Sequence, residues 1–311
     1  MRSGISKIVP LEAALSAVED GMSLTAGGFA HSHQPMAMTR ALIRRGVRRL
    51  TLMGVAECWV AEFLAAAGAV EKAYFSNFMF EGFGRCRRFV EGVETGRIAT
   101  EDHSHFGMIC RLQAAGLGLP FMPLRAMTAT DIVEVAGFED ITQKSRFIAS
   151  PFGNGRVTAV SPLKPDVAII HAARADAAGN VQLFGATSVI EEQARAASTV
   201  IVSVEEIVEA DVIPRQPELT ILPALLVDAV VHLPFGAHPT GVFGYYEHDA
   251  AYLGEYYAAS RRQDSTDAFF RRWIHDQADH WSYLDALLVS RLLALRVDPA
   301  LGTIMTGQRH V

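Results

Sequence analysis

The fold is decided by the stretch Asp20-Gly-Met-Ser-Leu-Thr-Ala-Gly-Gly-Phe29 and by the helical pattern that follows it at 35–45. Residues 22–26 predict a short buried strand, because most of them are apolar and two glycines end the run. Helical apolar spacing then begins at Pro35 and ends at Gly46, where a left-handed cap belongs. A strand, a tight turn and a helix in this order are typical of a parallel sheet covered by helices.

The same alternation continues through most of the chain. Further strands are predicted at 50–54, 73–75, 98–100, 166–171, 200–204 and 229–233, and further helices at 11–19, 56–67 and 104–117. The expected fold class is therefore α/β, with an open, mostly parallel sheet and helices on both faces. Residues 249–311 predict a mainly helical C-terminal layer. Because no linker is visible, we expect a single domain over residues 1–311.

Composition excludes several classes of protein. The chain has 311 residues, of which 50% are hydrophobic and 20% charged, and its net charge is −6. This balance excludes an extended disordered chain, and it offers no bulk positive field for nucleic acid or an anionic membrane. No apolar run reaches the roughly 20 residues of a transmembrane helix. Three cysteines without a C-x-x-C pair, and no secretory signal pattern, predict a reduced, cytoplasmic protein.

Three segments that follow predicted strands carry glycines or polar side chains: 27–29, Ser76 with Asn77, and 101–104. Ligands of open parallel sheets bind at the carboxyl ends of the strands, so we expect these segments to converge on one cleft. Each segment also has a purely structural explanation. The glycines suit a tight turn, the phenylalanines around Ser76 suit a buried aromatic cluster, and Ser104 suits a helix cap with two acids at the positive helix end.

Two other features are left open by the residues alone. His103 and His105 form an H-x-H pair that a metal-dependent hydrolase could use, although such pairs are common by chance. The segment Pro234-Phe-Gly-Ala-His-Pro-Thr-Gly-Val-Phe-Gly-Tyr-Tyr246 holds four aromatic residues among glycines and prolines. We expect it to be an ordered loop at or near a contact with another chain, because aromatic residues are enriched in interface cores.

The quoted stretch resembles a family signature. Asp20-Gly21, Gly27-Gly28-Phe29 and Pro35 are similar to the N-terminal motif of the A (alpha) subunits of family I coenzyme A transferases, especially the glutaconate and 3-oxoadipate branch. Blocks at 106–131, 165–180, 202–208 and 235–240 resemble the same branch, so the resemblance covers roughly residues 5 to 260. Two positions depart from the motif: Thr25 breaks its apolar triplet, and His33 stands where glycine is usual.

The resemblance implies one half of a two-subunit enzyme. A coenzyme A thioester would be a substrate, with no permanently bound cofactor and no metal. The partner would be a B-type subunit, in a heterodimer or in a heterotetramer with two copies of each chain. In this family a glutamate of the B subunit, in a Ser-Glu-Asn-Gly-like motif, forms an acyl anhydride and then a glutamyl-CoA thioester that passes CoA to an acceptor carboxylate. No Glu-Asn-Gly occurs in this chain, so we expect it to be inactive alone.

The strand ends, the residue types and the resemblance together give the candidate site residues. Those expected to line the substrate and CoA pocket are Gly27, Gly28, Phe29, Ser76, Asn77, Ser104 and Arg125. Arg125 is either a clamp for a substrate carboxylate or a structural ion pair. A related branch resembles a CoA-dependent hydrolase that opens steroid rings, in which an acid of the alpha-type chain is implicated. Glu101 is the candidate catalytic acid by that resemblance, and Asp102 is the fallback.

Besides the metal-dependent hydrolase left open above, three functions follow from these observations. The first is the alpha-type half of a transferase that moves CoA between an acyl-CoA and a small carboxylic acid, which includes dicarboxylic and 3-oxo acids. The second is a CoA-thioester hydrolase or ring-opening enzyme of the same fold. The third is a non-catalytic domain that binds a small acid. The sequence does not choose the acid.

Overall fold

The computed structural model describes residues 6–135, 137–138, 144–153 and 155–297. Its strands, in chain order, are β1 (Ser23–Ala26), β2 (Leu50–Gly54), β3 (Val70–Phe75), β4 (Ala99–Asp102), β5 (Met122–Leu124), β6 (Ser145–Ala149), β7 (Arg156–Val160), β8 (Val167–Asp176), β9 (Val181–Gln182), β10 (Thr199–Val208), β11 (Thr220–Leu222) and β12 (Ala229–His232). Its helices are α1 (Leu11–Leu15), α2 (Met36–Arg45), α3 (Cys58–Ala66), α4 (Arg87–Glu94), α5 (His105–Gly116), α6 (Ile190–Ala196), α7 (Ala250–Ala259), α8 (Gln263–Phe270), α9 (His280–Leu287) and α10 (Val289–Leu295).

The large sheet is mostly parallel. Seven of its strands run in the order β12-β10-β8-β1-β2-β3-β4, and every neighbouring pair among them is parallel. The short strand β9 pairs antiparallel with the C-terminal part of β8, and β11 pairs antiparallel with β9. The predicted α/β class with an open, mostly parallel sheet is thereby confirmed.

Each face of this sheet buries its own apolar core. Along β8, Val167 and Ile169 pack on one face, while Ala168 and Ile170 pack on the other. Helices α1 to α4 and α7 to α9 cover the first face, and α5 and α6 cover the second. A strand that is buried on both faces has no polar alternation, which is why it appears in the sequence as one continuous apolar run.

Most predicted elements form close to their expected bounds. Strand β2 coincides with its prediction, and Gly46 ends α2 with φ of 73°, in the left-handed conformation expected of a cap. The first helix is shorter than predicted and ends at Leu15. No helix in the described part of the chain is both long and apolar enough to cross a membrane.

The sequence did not predict a second, smaller sheet. It is antiparallel, in the order β5-β7-β6, and the consecutive strands β6 and β7 form a hairpin. It packs beside β4 and α5: the Lys144 ammonium donates to the Asp102 carbonyl, and the Arg111 guanidinium donates to the Ser161 carbonyl over 3.0 Å. The small sheet therefore lies next to the carboxyl end of β4.

Candidate functional site

The carboxyl ends of β1 to β4 form one continuous edge of the large sheet. The three segments predicted to converge follow β1, follow β3 and include the end of β4. Neighbouring strands lie about 4.8 Å apart, so the ends of β1 and β4 are separated by roughly 14 Å. The segments thus lie in a row along this edge.

The Gly-Gly-Phe turn after β1 is tightly built. The Gly27 amide donates to the Ile169 carbonyl over 2.8 Å, which extends the pairing between β1 and β8. Gly28 has φ of 103°, and a Cβ atom there would lie 2.8 Å from both the Gln34 nitrogen and the Ser32 oxygen. Phe29 exchanges two backbone hydrogen bonds of 2.9 Å with Ser32 and leaves 43% of its surface exposed. The turn itself accounts for Gly28, and Phe29 is its exposed side chain.

Gln34 connects this turn to the start of α3. Its side-chain oxygen accepts from the amides of Trp59 and Val60 over 3.0 and 3.1 Å, and its side-chain nitrogen donates to the Ala30 carbonyl. The first backbone N–H groups of a helix have no hydrogen-bond acceptor within the helix. In α3 the buried side-chain oxygen of Gln34 is the acceptor for two of them. Sequence reasoning missed Gln34, because its partner helix begins more than twenty residues later.

A buried carboxyl at the end of β2 was also missed. Glu57 accepts from the Val55 and Ala56 amides over 2.6 and 3.0 Å and from the Gln193 side chain, which also donates to the Ala26 carbonyl over 2.8 Å. Burial raises the pKa of Glu57 to about 7. The available signal was its position just after a predicted strand, the same criterion that selected the other segments.

A cavity of about 10 Å³ lies between β1 and β2, lined by Ala26, Gly54, Glu57 and Phe78 among others. This volume is about that of one water-sized probe, far below the 300–1,000 Å³ of an ordinary ligand pocket. Glu57 therefore faces a space that is too small for a substrate.

Ser76 and Asn77 join the end of β3 to the end of β2. The Ser76 hydroxyl donates to the Val55 carbonyl over 2.8 Å, and the backbone N–H of Asn77 donates to the same oxygen over 3.2 Å. Both residues are half-buried. The next strand is held similarly, since the His103 amide donates to the Phe75 carbonyl over 2.9 Å.

Glu101 belongs to a buried charged cluster. Its Oε1 atom, Arg111 Nη1 and His103 Nε2 form a triangle with 2.8 Å sides, and its Oε2 atom accepts from the Phe138 amide over 2.9 Å. Burial alone would raise the pKa of Glu101, but the hydrogen bond with His103 and the charge of Arg111 lower that pKa to about 2. Burial lowers the pKa of His103 to about 4. Glu101 is therefore a firmly held carboxylate.

The neighbours of Glu101 differ from it in exposure. Asp102 is exposed, and Ser104 accepts from the Gly107 amide over 3.0 Å as the N-terminal cap of α5. His105 is exposed on α5, whereas His103 is buried, so the two histidines of the H-x-H pair lie in different surroundings. Among the described residues, no group of three His, Cys, Asp or Glu side chains could hold a metal ion. Arg125 lies on the small sheet, just after β5.

The aromatic segment 234–246 is ordered and packs inside this chain. The His33 amide donates to the Gly241 carbonyl, and the Gly241 amide donates to the His31 carbonyl, both over 2.8 Å. His238 is buried, with its ring nitrogens 2.7 Å from the Tyr283 hydroxyl and 3.1 Å from the Asp249 carboxylate. The segment supports the Gly-Gly-Phe turn from one side, and the contact with another chain expected there stays a prediction.

The chain is similar to known proteins over most of its length. Residues 9–233 match the family model described as Coenzyme A transferase. The A subunit of glutaconate CoA-transferase from Acidaminococcus fermentans is 34% identical, and the match covers 96% of this chain and 97% of that protein. A chain in the crystal structure of glutaconate coenzyme A-transferase from this organism superposes with a TM-score of 0.90 at 32% identity, over 97% of this chain and 99% of that one.

Two further relatives differ in their chemistry. The A subunit of 3-oxoadipate CoA-transferase from Pseudomonas knackmussii is 34% identical, with 84% of this chain and 91% of that protein covered. The cholesterol ring-cleaving hydrolase IpdA subunit of Rhodococcus jostii is 28% identical, with 90% of this chain and 96% of that protein covered. Similar chains thus take part in both CoA transfer and ring cleavage.

Proposed function

Because this chain belongs to the coenzyme A transferase family, as a family I alpha-type chain, we propose that with a B-type subunit it moves CoA between an acyl-CoA and a small carboxylic acid. The observation that carries the proposal is the full-length match to glutaconate CoA-transferase, in sequence and in fold. The names of that relative and of the 3-oxoadipate enzyme favour a dicarboxylic or 3-oxo acid as acceptor.

The chemical step needs a carboxylate from the partner. A glutamate on the B-type chain attacks the acyl carbonyl, and the thiolate of CoA leaves to give an enzyme acyl anhydride. The thiolate then attacks the glutamyl carbonyl and releases the first acid, so the enzyme carries a glutamyl thioester. The acceptor carboxylate reverses these two steps and takes CoA. The lack of a Glu-Asn-Gly motif in this chain supports placing the nucleophile on the partner.

The geometry of Glu101 supports the same assignment. Its carboxylate is held by Arg111, His103 and the Phe138 amide, and 1% of its side chain is exposed. A carboxylate whose pKa is about 2 is a weak base at neutral pH, and both oxygens of Glu101 already accept hydrogen bonds within this chain. We therefore assign Glu101 a positioning role, in which it holds α5 and the end of β4 together.

This chain would contribute one wall of the substrate pocket. The exposed Phe29 and the half-buried Ser76, Asn77 and Ser104 lie along the edge that the partner has to cover, and Gly27 and Gly28 shape the turn that presents Phe29. The cavity between β1 and β2 is too small for a substrate, so it is not the substrate pocket. Arg125 lies on the small sheet, so its predicted role as a clamp requires a substrate that extends to that sheet.

The ring-cleaving alternative is kept because one relative carries that name. It predicts that the partner lacks the Ser-Glu-Asn-Gly-like motif and that Glu101, or Asp102 in its place, takes part in the chemistry. The single-domain organisation also belongs to the proposal, and it is supported by α7 to α9, which share a core with the sheet. The three cysteines are free and buried, which fits the reduced cytoplasmic location that we propose.

A reconstitution assay tests the proposed function. Acyl-CoA and an acceptor acid are mixed with this chain, with the B-type subunit, and with both, and the new thioester is measured by mass. We expect transfer only with both chains, and a CoA adduct on the B-type chain when the acceptor is omitted. Efficient transfer by this chain alone, or hydrolysis without transfer by the pair, would contradict the proposal.

A further inference from the structure

Apart from Arg125, the proposed chemistry does not use the apolar surface that the small sheet presents. At the tip of the β6–β7 hairpin, Phe152 exposes 92% of its surface, and nearby Phe121 exposes 45%. A groove of about 560 Å³ lies beside them, lined by Phe121, Pro123, Arg125, Ile148, Phe152 and Val157 among others. Contiguous exposed apolar surface of this kind marks an interaction site in proteins that are otherwise well packed.

The hairpin that carries Phe152 is well formed. Strands β6 and β7 pair from Ser145 with Val160 to Ala149 with Arg156, and the Ser150 amide donates to the Gly155 carbonyl over 2.9 Å. The exposed ring therefore lies beside a hydrogen-bonded pair of strands. An aromatic side chain on an ordered support loses little conformational freedom on binding, which is typical of interface anchors.

The charge of this surface limits what can bind it. Arg125, Arg146 and Arg156 are exposed on the small sheet, and residues 121–126 and 144–161 contain no aspartate or glutamate. The chain as a whole carries a net charge of −6, so the surface differs in sign from the rest. A second copy of this chain would oppose arginine to arginine across a symmetric contact, which is unfavourable. The complementary occupant has apolar side chains together with carboxylates.

The small sheet is also attached to the candidate site. Lys144 holds the Asp102 carbonyl, and Arg111, which binds Glu101, donates from Nη2 to the Ser161 hydroxyl over 3.1 Å. A partner that covers the carboxyl edge of β1 to β4 would therefore meet the small sheet at the end of that edge.

From these observations we propose that the β6–β7 hairpin, with Phe152 at its tip and the groove beside it, is a docking surface for an apolar and acidic segment of the B-type subunit. This inference rests on the proposed function, because it takes the partner from there. Phe152 acts as the apolar anchor, and the three arginines steer the acidic partner towards it.

Binding of the purified B-type subunit, measured by isothermal titration calorimetry, tests the docking surface. We expect Phe152→Ala to weaken binding at least about tenfold and Phe152→Asp to weaken it further, since an interface anchor is lost. Leu225→Asp is the matched control, because Leu225 is 82% exposed outside the small sheet. Thermal unfolding of each variant alone should match that of the wild-type chain, since Phe152 has little packing to lose.

Three results would overturn the proposal. The first is that Phe152→Asp binds the B-type subunit with an affinity within twofold of wild type. The second is that the wild-type chain does not bind the B-type subunit. The third is that this chain alone forms a dimer that Phe152→Asp dissociates. The last result would assign the surface to a second copy. CoA transfer by the wild-type pair is measured separately. If the two chains bind through Phe152 but transfer no CoA, only the proposed function is contradicted. If they transfer CoA but their binding does not depend on Phe152, only the docking surface is contradicted.

Discussion

The Arg111 guanidinium donates to the Glu101 carboxylate over 2.8 Å, and neither side chain reaches solvent. Arg111 lies on α5 and Glu101 on β4, so this ion pair holds the helix against the strand that precedes it. A buried ion pair of this kind tolerates joint replacement by apolar residues much better than the loss of one partner. This asymmetry separates a positioning role for Glu101 from a role in the chemistry.

Glu101→Gln should destabilise the chain by about 3–5 kcal/mol, because it leaves the Arg111 charge buried and unpaired. The double variant Glu101→Gln with Arg111→Met should regain most of that loss, as measured by urea unfolding. Reconstituted with the B-type subunit, the folded single variant should keep its KM and lose less than about 10² in kcat. A loss of about 10²–10⁴ in kcat that the double variant shares, with unchanged stability, would favour the ring-cleaving alternative.

Glu57→Gln should make the free energy of unfolding less dependent on pH between pH 4.5 and about 7. The pKa of Glu57 is raised from 4.5 to about 7, so its stabilising contribution is present below pH 4.5 and is lost as the pH rises through 7. A pKa difference of this size corresponds to about 3 kcal/mol. As the pH rises from 4.5 to 8, the free energy of unfolding of the variant should therefore increase by roughly that amount relative to wild type.

Urea unfolding at several pH values measures this difference. The control is Glu94→Gln, which makes the same substitution at an exposed position at the end of α4. A constant difference between wild type and Glu57→Gln across this range would show that Glu57 titrates alike in the folded and unfolded chains, against our expectation.

Gly28→Ala should cost at least about 2 kcal/mol of stability. Alanine at φ of 103° is strained, and its Cβ would press against the backbone of Ser32 and Gln34. Gly82→Ala is the matched control, because a Cβ there has nothing within 4 Å, and its effect should stay within about 0.5 kcal/mol. If Gly28→Ala unfolds at the wild-type urea concentration, the turn has more freedom than its geometry indicates.

Local patterns in the sequence were enough to predict the elements that form the edge of the site. Continuous apolar runs predicted β2 and the start of β8, Gly46 predicted the end of α2, and Ser104 predicted the cap of α5. Such signals are visible because burial and capping act over a few neighbouring residues. The small sheet escaped prediction, since its short strands alternate weakly and much of its surface is exposed.

The sequence by itself determined the α/β class, the strand ends that carry polar groups and, through its motifs, the family. Only the tertiary structure decided which side chains meet there. Glu57 pairs with Gln193 because β1 lies between β2 and β8, and that order places α6 across the same edge. Glu101 is buried and ionised because α5 returns Arg111 to the end of β4. Partners separated by many residues depend on the order of strands and on helix packing, and no local periodicity encodes that order.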